Sequence, residues 1–155
     1  MSSIQLRRAR MDELGALSDL ALRSKAHWGY DQGFLEACRS ELTVTPAQLK
    51  AEHVVVAERD GELLGFYALA ADPPEGELTN LWVDRPHIGA GVGRALFDHA
   101  AALASSLGVQ RIRIDADPGA EPFYRRMGAI RIGLSQSGSI RGRSLPLMEL
   151  LLTQR

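Results

Sequence analysis

The sequence predicts a mixed α/β fold in which helices flank a single β-sheet. Three observations predict it. Short apolar runs, several of them alternating with polar residues, recur at about seven places along the chain and are typical of strands. Stretches with apolar residues every three or four positions separate these runs and are typical of amphipathic helices. Gly, Pro and Asp mark the turns between the two kinds of segment. The resulting order is β, α, α, three strands, α, β, α, β, β.

The first third of the chain predicts one strand and two helices. Residues 4–8 alternate between apolar and polar and predict a short strand. A helical stripe over residues 12–24 predicts the first helix, with Asp12 as its N-cap. A second short helix follows around residues 34–39. Thr45-Pro46 begins a further helical turn, because proline suits the first position of a helix.

The middle of the chain predicts three consecutive strands. Residues 54–57 and 64–70 form a hairpin around the Asp60-Gly61 turn. Asp72-Pro73-Pro74 ends the second strand, because proline cannot donate a hydrogen bond to a ladder. Residues 78–83 form the third strand, which breaks at Asp84-Arg85-Pro86.

The last part of the chain predicts two helices and three strands. A long helix with one apolar face runs to about Leu107, and Gly108 caps its C-terminus. Residues 111–116 alternate and predict a strand. A short helix over residues 121–127 ends at Gly128. Two final strands, 130–134 and 145–151, enclose a polar loop rich in Ser, Gly and Arg.

The composition is that of one globular domain over residues 1–155, with 45% hydrophobic and 24% charged residues. A net charge of −1 argues against a nucleic-acid or anionic-membrane partner. No apolar run reaches the roughly 18 residues that a membrane span needs. The N-terminal segment lacks the apolar core of a signal peptide. The lone Cys38 favours a reducing compartment, and we expect a cytoplasmic protein. No His or Cys spacing fits a metal site, so no metal is expected.

A glycine-dense turn between residues 88 and 93 is the most specific feature of the chain. It follows the apolar strand that ends at Val83 and opens the long helix. Such a turn directs several backbone N–H groups at one point, where the helix dipole adds roughly half a positive charge. Arg94 lies in the first helical turn, where a cation is unfavourable unless an anion binds. The turn therefore predicts a seat for a phosphate or pyrophosphate.

The same stretch resembles the acyl-coenzyme A signature of the GCN5-related N-acetyltransferases, a strand, then Q/R-x-x-G-x-G/A, then a helix. Gly91 and Gly93 stand at its two glycine positions, and Ile88 stands where the family usually has Gln or Arg. Losing one charge-assisted hydrogen bond to phosphate costs about 1.5–3 kcal/mol. The resemblance implies acetyl-CoA as the acyl donor, held by a run of six residues and the Arg that follows it: Ile88, Gly89, Ala90, Gly91, Val92, Gly93 and Arg94.

The family resemblance also implies a sheet of about seven strands that is splayed open between two parallel strands. In such proteins the pantetheine arm of the donor inserts there like an extra strand. The first of the two strands would be residues 77–83, and backbone groups of Leu81, Trp82 and Val83 would hold the arm and the acetyl carbonyl. The alternative is a plain core strand.

Tyr124 is the candidate for protonating the departing thiolate. Residues 117–124 match the family pattern N-x-x-A-x-x-F-Y, and Met127-Gly128 follows. In that setting the tyrosine hydroxyl lies near the thioester sulfur. The reference pKa values of a phenol and a thiol, about 10 and 8.5, make the proton transfer workable. Asp117 replaces the usual Asn in contact with the cofactor arm. The alternative is that Phe123-Tyr124 is only a core aromatic pair.

Glu77 is the candidate general base, acting directly or through a water. It precedes Leu81 by four residues, and strand alternation predicts that Glu77, Thr79 and Leu81 share one side of the sheet. Several acetyltransferases carry a functional glutamate at about this position. The alternative is a solvated carboxylate at the start of a strand.

Three residues are candidates for binding the acceptor. Trp28 and Tyr30 flank a glycine after the first helix, and they either wall a substrate pocket, stacking on a cation, or staple two helices together. Arg143 lies in the polar loop 135–144. If that loop folds over the acceptor site, Arg143 favours a substrate with a carboxylate or phosphate beside its amine. The alternative is a solvated hairpin loop.

The resemblance implies an N-acetyltransferase that moves an acetyl group from acetyl-CoA to a primary amine by direct attack on the thioester. The acceptor would be a small molecule or a peptide, and homodimers are common in the family. A second hypothesis is a non-catalytic acyl-CoA-binding or sensing module, because Ile88 and Asp117 depart from the family pattern. A third, a Rossmann-type dinucleotide domain, requires G-x-G-x-x-G where this chain has G-x-G-x-G.

Overall fold

Seven strands and five helices form the computed structural model of the chain, which describes residues 3–154. Met1, Ser2 and Arg155, part of the predicted domain 1–155, lie outside the described residues. The strands are β1 (Gln5–Arg8), β2 (His53–Arg59), β3 (Glu62–Asp72), β4 (Glu75–Val83), β5 (Arg111–Asp115), β6 (Ile130–Gln136) and β7 (Ser144–Leu151). The helices are α1 (Leu14–Ala26), α2 (Gln32–Leu42), α3 (Pro46–Ala51), α4 (Val92–Ser106) and α5 (Glu121–Arg126). The predicted order of elements is confirmed.

All seven strands belong to one sheet in the order β1-β2-β3-β4-β5-β7-β6. Only β4 and β5 run parallel; every other neighbouring pair is antiparallel. The β4–β5 ladder is short, because it joins Glu75–Glu77 to Arg111–Arg113 and continues no further. The sheet is therefore open along the rest of β4, and the predicted mixed sheet, splayed between two parallel strands, is confirmed.

The two faces of the sheet carry separate apolar cores. The α4-side core packs α4 against one face, with Leu78, Leu96, Phe97, Ile114 and Met148 among its buried residues. The α1-side core packs α1, α2 and α3 against the other face, with Leu17, Leu20, Cys38, Val54 and Phe66 among its buried residues. Burial of each large apolar side chain stabilises the fold by roughly 1.5–3 kcal/mol.

The start of α1 differs from the prediction. Asp12 is not the N-cap; it lies in a 3-10 turn over Met11–Glu13, and Glu13 occupies the capping position. The Glu13 carboxylate accepts a hydrogen bond from the Arg10 backbone N–H at 2.7 Å and two from Arg7 at 3.0 and 2.7 Å. Asp12 is exposed, and among the described residues it pairs only with the Arg10 side chain, at 3.1 Å. The stronger acceptor for the turn is thus the buried Glu13.

A β-bulge in β4 changes which side chains share a face. Leu78 pairs with Leu69 and Asn80 with Ala68, so Thr79 is an extra residue in β4. Leu78 and Leu81 consequently pack in the α4-side core, whereas Trp82 packs against the α1-side core. Glu77 is across from Ala70 and lies on the same side as Trp82. The prediction that Glu77 and Leu81 share a side is wrong, because alternation assumed an unbroken strand.

Candidate functional site

Two clefts meet where β4 and β5 diverge. The first cleft, about 470 Å³, lies between the second half of β4, the start of α4 and α5. The second cleft, about 280 Å³, lies between β4, α1, α2 and the loop that joins β6 to β7. The two share a wall formed by Leu78, Thr79, Asn80, Trp82, Asp115 and Asp117. A molecule in one cleft can therefore reach a molecule in the other across the open edge of β4.

The glycine turn at residues 88–93 forms one end of the first cleft. Gly89 and Gly91 have φ angles of +88° and +86°, which L side chains rarely adopt. A Cβ atom at either position would meet nothing within 4 Å, so the space outside the turn is open. Gly91 caps α4 without a side-chain acceptor. Among the described residues, no acceptor takes the N–H groups at the start of α4, from Gly91 to Arg94. These donors and the helix dipole are suited to an anion.

The turn residues differ in how they meet the first cleft. Its lining includes Ile88, Gly89, Gly91, Gly93 and Arg94. Ala90 does not line it, and the Val92 side chain is buried in the α4-side core, which leaves only its backbone for a ligand. A Cβ at Gly93 would lie 3.4 Å from the ring of Phe123, so this glycine allows α5 to pack beside α4.

Two arginines supply positive charge near the turn. Arg94 is 78% exposed, and its ion pair with Asp98 is long at 3.9 Å. Arg126 in α5 also lines the first cleft and makes no ion pair among the residues described. His87, the other nearby basic residue, faces away and lies 3.0 Å from Glu62. The cation that the sequence lacks at Ile88 is thus present on neighbouring elements.

The open edge of β4 forms the middle of the first cleft. Leu81, Trp82 and Val83, to which the family resemblance assigns the pantetheine arm, line this part of the cleft. Since the ladder with β5 stops at Glu77, the backbone groups on this edge beyond Glu77 have no partner strand. Such an edge can pair with an extended ligand as an additional strand would.

Glu77 lies in the second cleft, on the α1 side of the sheet. Glu77 as a whole is solvent-accessible, and it makes no hydrogen bond or ion pair with any described residue. The walls of the cleft nevertheless partly desolvate its carboxyl. This desolvation, followed by the negative charges of Asp115 and Glu52, raises the pKa of the carboxyl above the usual range. A carboxyl group with a raised pKa is a better proton acceptor than an ordinary one, because its conjugate acid holds the proton more tightly.

Tyr124 lies on the opposite side of the open edge, in the first cleft. Its ring is buried in the α4-side core, 5.3 Å from the ring of Phe123 and 6.1 Å from that of Phe97. Its hydroxyl makes no hydrogen bond within the described chain, although it reaches the cleft. Burial, with a smaller contribution from the negative charge of Asp117, raises the pKa of the phenol well above its usual value. The hydroxyl is a protonated and unoccupied donor.

Asp117 is the centre of a charged cluster, the Asp117 cluster, formed with Lys25, Tyr30 and Arg143. Its Oδ2 accepts hydrogen bonds from the Tyr30 hydroxyl at 2.9 Å and the Lys25 ammonium at 3.3 Å, and it lies 3.8 Å from Arg143. Its Oδ1 accepts one from the Gly119 N–H. The carboxylate is only 6% exposed. Three donors and one ion-pair contact thus occupy the carboxylate, although Asp117 lies on the wall between the clefts, where the resemblance implies contact with the cofactor arm.

The candidate acceptor residues lie in different places. Arg143 reaches the second cleft and stacks over the rings of Tyr30 and Phe34 at 5.1 and 4.8 Å. Tyr30 lies behind it in the Asp117 cluster and stacks on Phe34. Trp28 instead lines the first cleft, against the backbone of Gly119, where a Cβ would come within 2.7 Å of its ring. The polar loop therefore folds over the second cleft rather than extending into solvent.

Two functional candidates were not predicted from the sequence, Lys25 and Arg126. Lys25 is 8% exposed, with its ammonium 5.3 to 5.7 Å from the rings of Tyr30, Phe34 and Trp82. The signal was present: Lys25 follows Leu17 and Ala21 at steps of four, on the buried stripe of α1. Arg126 gave no such signal, because its position depends on how α5 packs beside the glycine turn.

Other features do not point to additional chemistry. His99 lies 2.8 Å from the Tyr67 hydroxyl through its Nδ1, so it is a partly buried histidine with a protein partner. Among residues 3–154, no group of three His, Cys, Asp or Glu side chains could hold a metal ion. No described helix is long and apolar enough to cross a membrane.

Comparison with known proteins yields a match to one family model. Residues 18–129 match the model of the Acetyltransferase (GNAT) family. That range begins within α1 and ends just after α5. It contains the glycine turn, Tyr124 and the wall that the two clefts share. No curated protein matches the chain by sequence.

Solved structures with the same fold cover nearly the whole chain. A GCN5-related N-acetyltransferase from Rhodopseudomonas palustris is 22% identical, with a TM-score of 0.80 over 97% of this chain and 97% of that one. The PaiA N-acetyltransferase of Thermoplasma acidophilum, solved with coenzyme A, is 20% identical, with a TM-score of 0.76 over 96% and 99%. The yncA protein of Salmonella typhimurium, solved with acetyl-CoA, is 19% identical, with a TM-score of 0.69 over 97% and 95%.

Proposed function

Because the chain belongs to the acetyltransferase (GNAT) family, we propose that it transfers an acetyl group from acetyl-CoA to a primary amine. The amine attacks the thioester directly, so no acetylated side chain forms on the protein. The donor lies in the first cleft and the acceptor in the second. Two of the similar structures were solved with coenzyme A or acetyl-CoA, which supports the donor.

The observation that carries the proposal is the shared wall of the two clefts. Glu77 lies on one side of the open β4 edge and Tyr124 on the other, with unpaired main chain between them. Amine acetylation needs a proton acceptor near the amine and a proton donor near the leaving sulfur. A carboxylate and a phenol can fill these two roles, and Glu77 and Tyr124 lie on opposite sides of the open β4 edge.

The first step removes a proton from the acceptor ammonium. Glu77 takes this proton, directly or through a water, and the raised pKa of its carboxyl supports that role. The neutral amine nitrogen then forms a bond to the thioester carbonyl carbon, and the carbonyl oxygen becomes an oxyanion. A main-chain N–H on the β4 edge, within residues 81–83, donates to that oxyanion.

The second step breaks the carbon–sulfur bond. As the carbonyl re-forms, the nitrogen loses its remaining excess proton to water and the amide product results. The electron pair of the broken bond goes to sulfur, Tyr124 donates its proton to the leaving thiolate, and the tyrosinate takes a proton back from water. The raised pKa of the phenol keeps the donor protonated across the physiological range. Its unoccupied hydroxyl supports the role, because no protein acceptor competes for the hydrogen.

The glycine turn holds the pyrophosphate of the donor. The N–H groups at the start of α4 and the helix dipole provide the seat. Arg94 and Arg126 add positive charge where Ile88 supplies none. We therefore expect binding to persist despite the missing side-chain donor, because main-chain donors do not depend on the residue at that position.

Calorimetric titration with acetyl-CoA, coenzyme A, dephospho-coenzyme A and NAD tests the donor site. We expect micromolar binding of the coenzyme A species and none of NAD. An amine panel, followed by release of the free thiol, then tests turnover. Binding without turnover of any amine would support the non-catalytic acyl-CoA-binding module instead. If no coenzyme A species bound, the acetyltransferase proposal would be wrong.

A further inference from the structure

The second cleft has a negative end at the open edge of β4. Glu77 and Asp115 both line it, and neither forms an ion pair with a described residue. Glu52 adds a third negative charge close to Glu77. Arg113 stands opposite Glu77 in the β4–β5 ladder but lies beyond ion-pair distance from it. This end attracts an ammonium group and holds it beside the proposed base.

A positive end lies across the same cleft. Lys25 and Arg143 both line it, with side chains only 10% and 19% exposed. Asp117 is the single carboxylate that the two cations share, through one oxygen, at 3.3 and 3.8 Å. One positive charge therefore remains without a partner in a region of reduced solvent, where an unmatched charge is costly.

The Arg143 guanidinium has N–H groups that make no hydrogen bond with a described residue. One terminal nitrogen donates to the Tyr30 hydroxyl at 2.6 Å, and the guanidinium stacks on the rings of Tyr30 and Phe34, which fixes its plane. Its remaining N–H groups bind no described residue. A guanidinium held in one plane, with free donors, is suited to a carboxylate.

The other acidic side chains of the cleft do not cancel this positive end. Asp117 already accepts hydrogen bonds from three donors and pairs with Arg143 at 3.8 Å. Glu41 accepts a hydrogen bond from the Ser139 hydroxyl and makes no ion pair with Lys25 or Arg143. The cleft volume is about 280 Å³, near the lower end of the range for small-molecule sites. It suits a small molecule with charges of opposite sign at its two ends.

On the basis of the proposed acetyl transfer, we infer that the acceptor is a small amino acid-type molecule. Its ammonium group lies at the Glu77 and Asp115 end, and its carboxylate binds Arg143, with Lys25 behind it. A diamine would place its second cation against Lys25 and Arg143, so it is the poorer acceptor. Arg143 thereby selects the substrate without taking part in the chemistry.

Matched acceptors test this inference by turnover. Each of the twenty amino acids is compared with its carboxamide and its decarboxylated amine, and kcat/KM is measured by thiol release. We expect the preferred amino acid to exceed its uncharged partners by about tenfold to a hundredfold, the range of a charge-assisted hydrogen bond. In Arg143→Gln and Arg143→Lys that ratio falls toward one, chiefly through KM. Arg141→Gln, an exposed change in the same loop, keeps the ratio.

A binding measurement separates this inference from the proposed function. The melting temperature of the coenzyme A complex is measured with each amino acid, carboxamide and amine. If an amino acid raises the melting temperature and Arg143→Gln abolishes that effect, the inference about the acceptor is upheld. This holds even if no acceptor turns over, because absence of turnover counts only against the proposed acetyltransferase activity. Turnover of diamines or carboxamides as efficient as that of amino acids would overturn the inference and leave the acetyltransferase standing. Absence of both selective binding and selective turnover would also overturn it.

Discussion

Side chains with unsatisfied chemistry mark the site at the scale of single residues. Within residues 3–154, the Tyr124 hydroxyl has no hydrogen-bond partner although its ring is buried, and the Glu77 carboxylate has no cation paired with it. Both were predicted from the sequence because each stands at a fixed distance from a recognisable motif. The contacts of Asp117 with Lys25, Tyr30 and Arg143 were not predicted, since they require distant parts of the chain to meet in space.

Removing the Tyr124 hydroxyl tests its role as the proton donor. We expect Tyr124→Phe to lower kcat by about 10²–10³-fold, the range for a lost general acid, and to leave the Kd for coenzyme A nearly unchanged. Stability should hold, because the hydroxyl makes no hydrogen bond with the described chain. Tyr67→Phe is the matched control, since Tyr67 is a buried phenol that lines neither cleft and bonds to His99. Full turnover in Tyr124→Phe would exclude the role.

Neutralising Glu77 should separate activity from stability. The pKa of Glu77 is raised in the folded protein, so the ionised carboxylate costs stability above that pKa, and the cost vanishes once the pH falls below the unfolded value of about 4.3. We expect Glu77→Gln to melt at a higher temperature than the wild type near neutral pH, and the difference to close near pH 4. Turnover should fall, and the loss of wild-type activity on acidification should disappear from the pH–rate profile.

The matched control for this change is Asp72→Asn, an exposed carboxylate at the end of the neighbouring β3 that makes no ion pair with a described residue. It should alter neither the pH–rate profile nor the pH dependence of melting in this way. An unchanged pH–rate profile in Glu77→Gln would remove Glu77 as the base. A lower melting temperature of Glu77→Gln at neutral pH would show that the surroundings of Glu77 stabilise its negative charge instead of destabilising it.

At the scale of elements, apolar periodicity predicted the strands and the two longest helices, α1 and α4, because each carries its own apolar pattern. The shorter helices and the order of the elements rested also on turn signals and on the family resemblance. The bulge at Thr79 left no such trace, since it arises from the pairing of β4 with β3 rather than from β4 alone. The bulge decides which side of the sheet Glu77 faces. The sequence therefore predicts the strands of the site but not the pairing between β3 and β4, which determines the face on which Glu77 lies.

Gly65 tests the packing of β3 beneath the cleft. A Cβ there would lie 2.5 Å from the Trp82 carbonyl oxygen and 3.1 Å from the Leu96 side chain. We expect Gly65→Ala to lower the free energy of unfolding by about 1–3 kcal/mol, as overpacking does, in urea denaturation. Gly15→Ala is the matched control: it is exposed in α1 with open space around it, and it should stabilise by about 0.5–1 kcal/mol. Equal effects of the two changes would contradict this account of Gly65.

At the scale of the whole molecule, ion pairs tie distant segments to the sheet. Glu13, before α1, binds Arg7 of β1, which also binds Glu58 of β2 at 3.1 Å. Arg23 of α1 binds Asp84, which follows β4, with two hydrogen bonds of 3.0 Å. Hydrogen bonds from these arginines lower the pKa values of Glu13 and Asp84. Such groups stabilise the fold above their unfolded pKa, and this contribution is lost on acidification.

Glu13 is the group through which this dependence is best measured. Its side chain is 8% exposed, so solvent screens its pair with Arg7 only weakly. We expect Glu13→Gln to lose about 1–3 kcal/mol at pH 7 in urea denaturation, and the deficit to shrink as the pH falls through the lowered pKa of Glu13. Glu36→Gln, in an exposed pair with Arg39, should change stability little. A deficit that persisted unchanged at low pH would point to packing rather than charge.

The separation of the two cores by the sheet has a consequence for how proteins of this shape diversify. The α4-side core supports the glycine turn, and the α1-side core supports the second cleft. Substitutions that reshape one face leave the packing of the other in place, so their effects on stability add rather than interfere. Under the proposed function, descendants of such a protein can acquire new acceptors through substitutions on the α1 face, while donor binding is preserved on the α4 face.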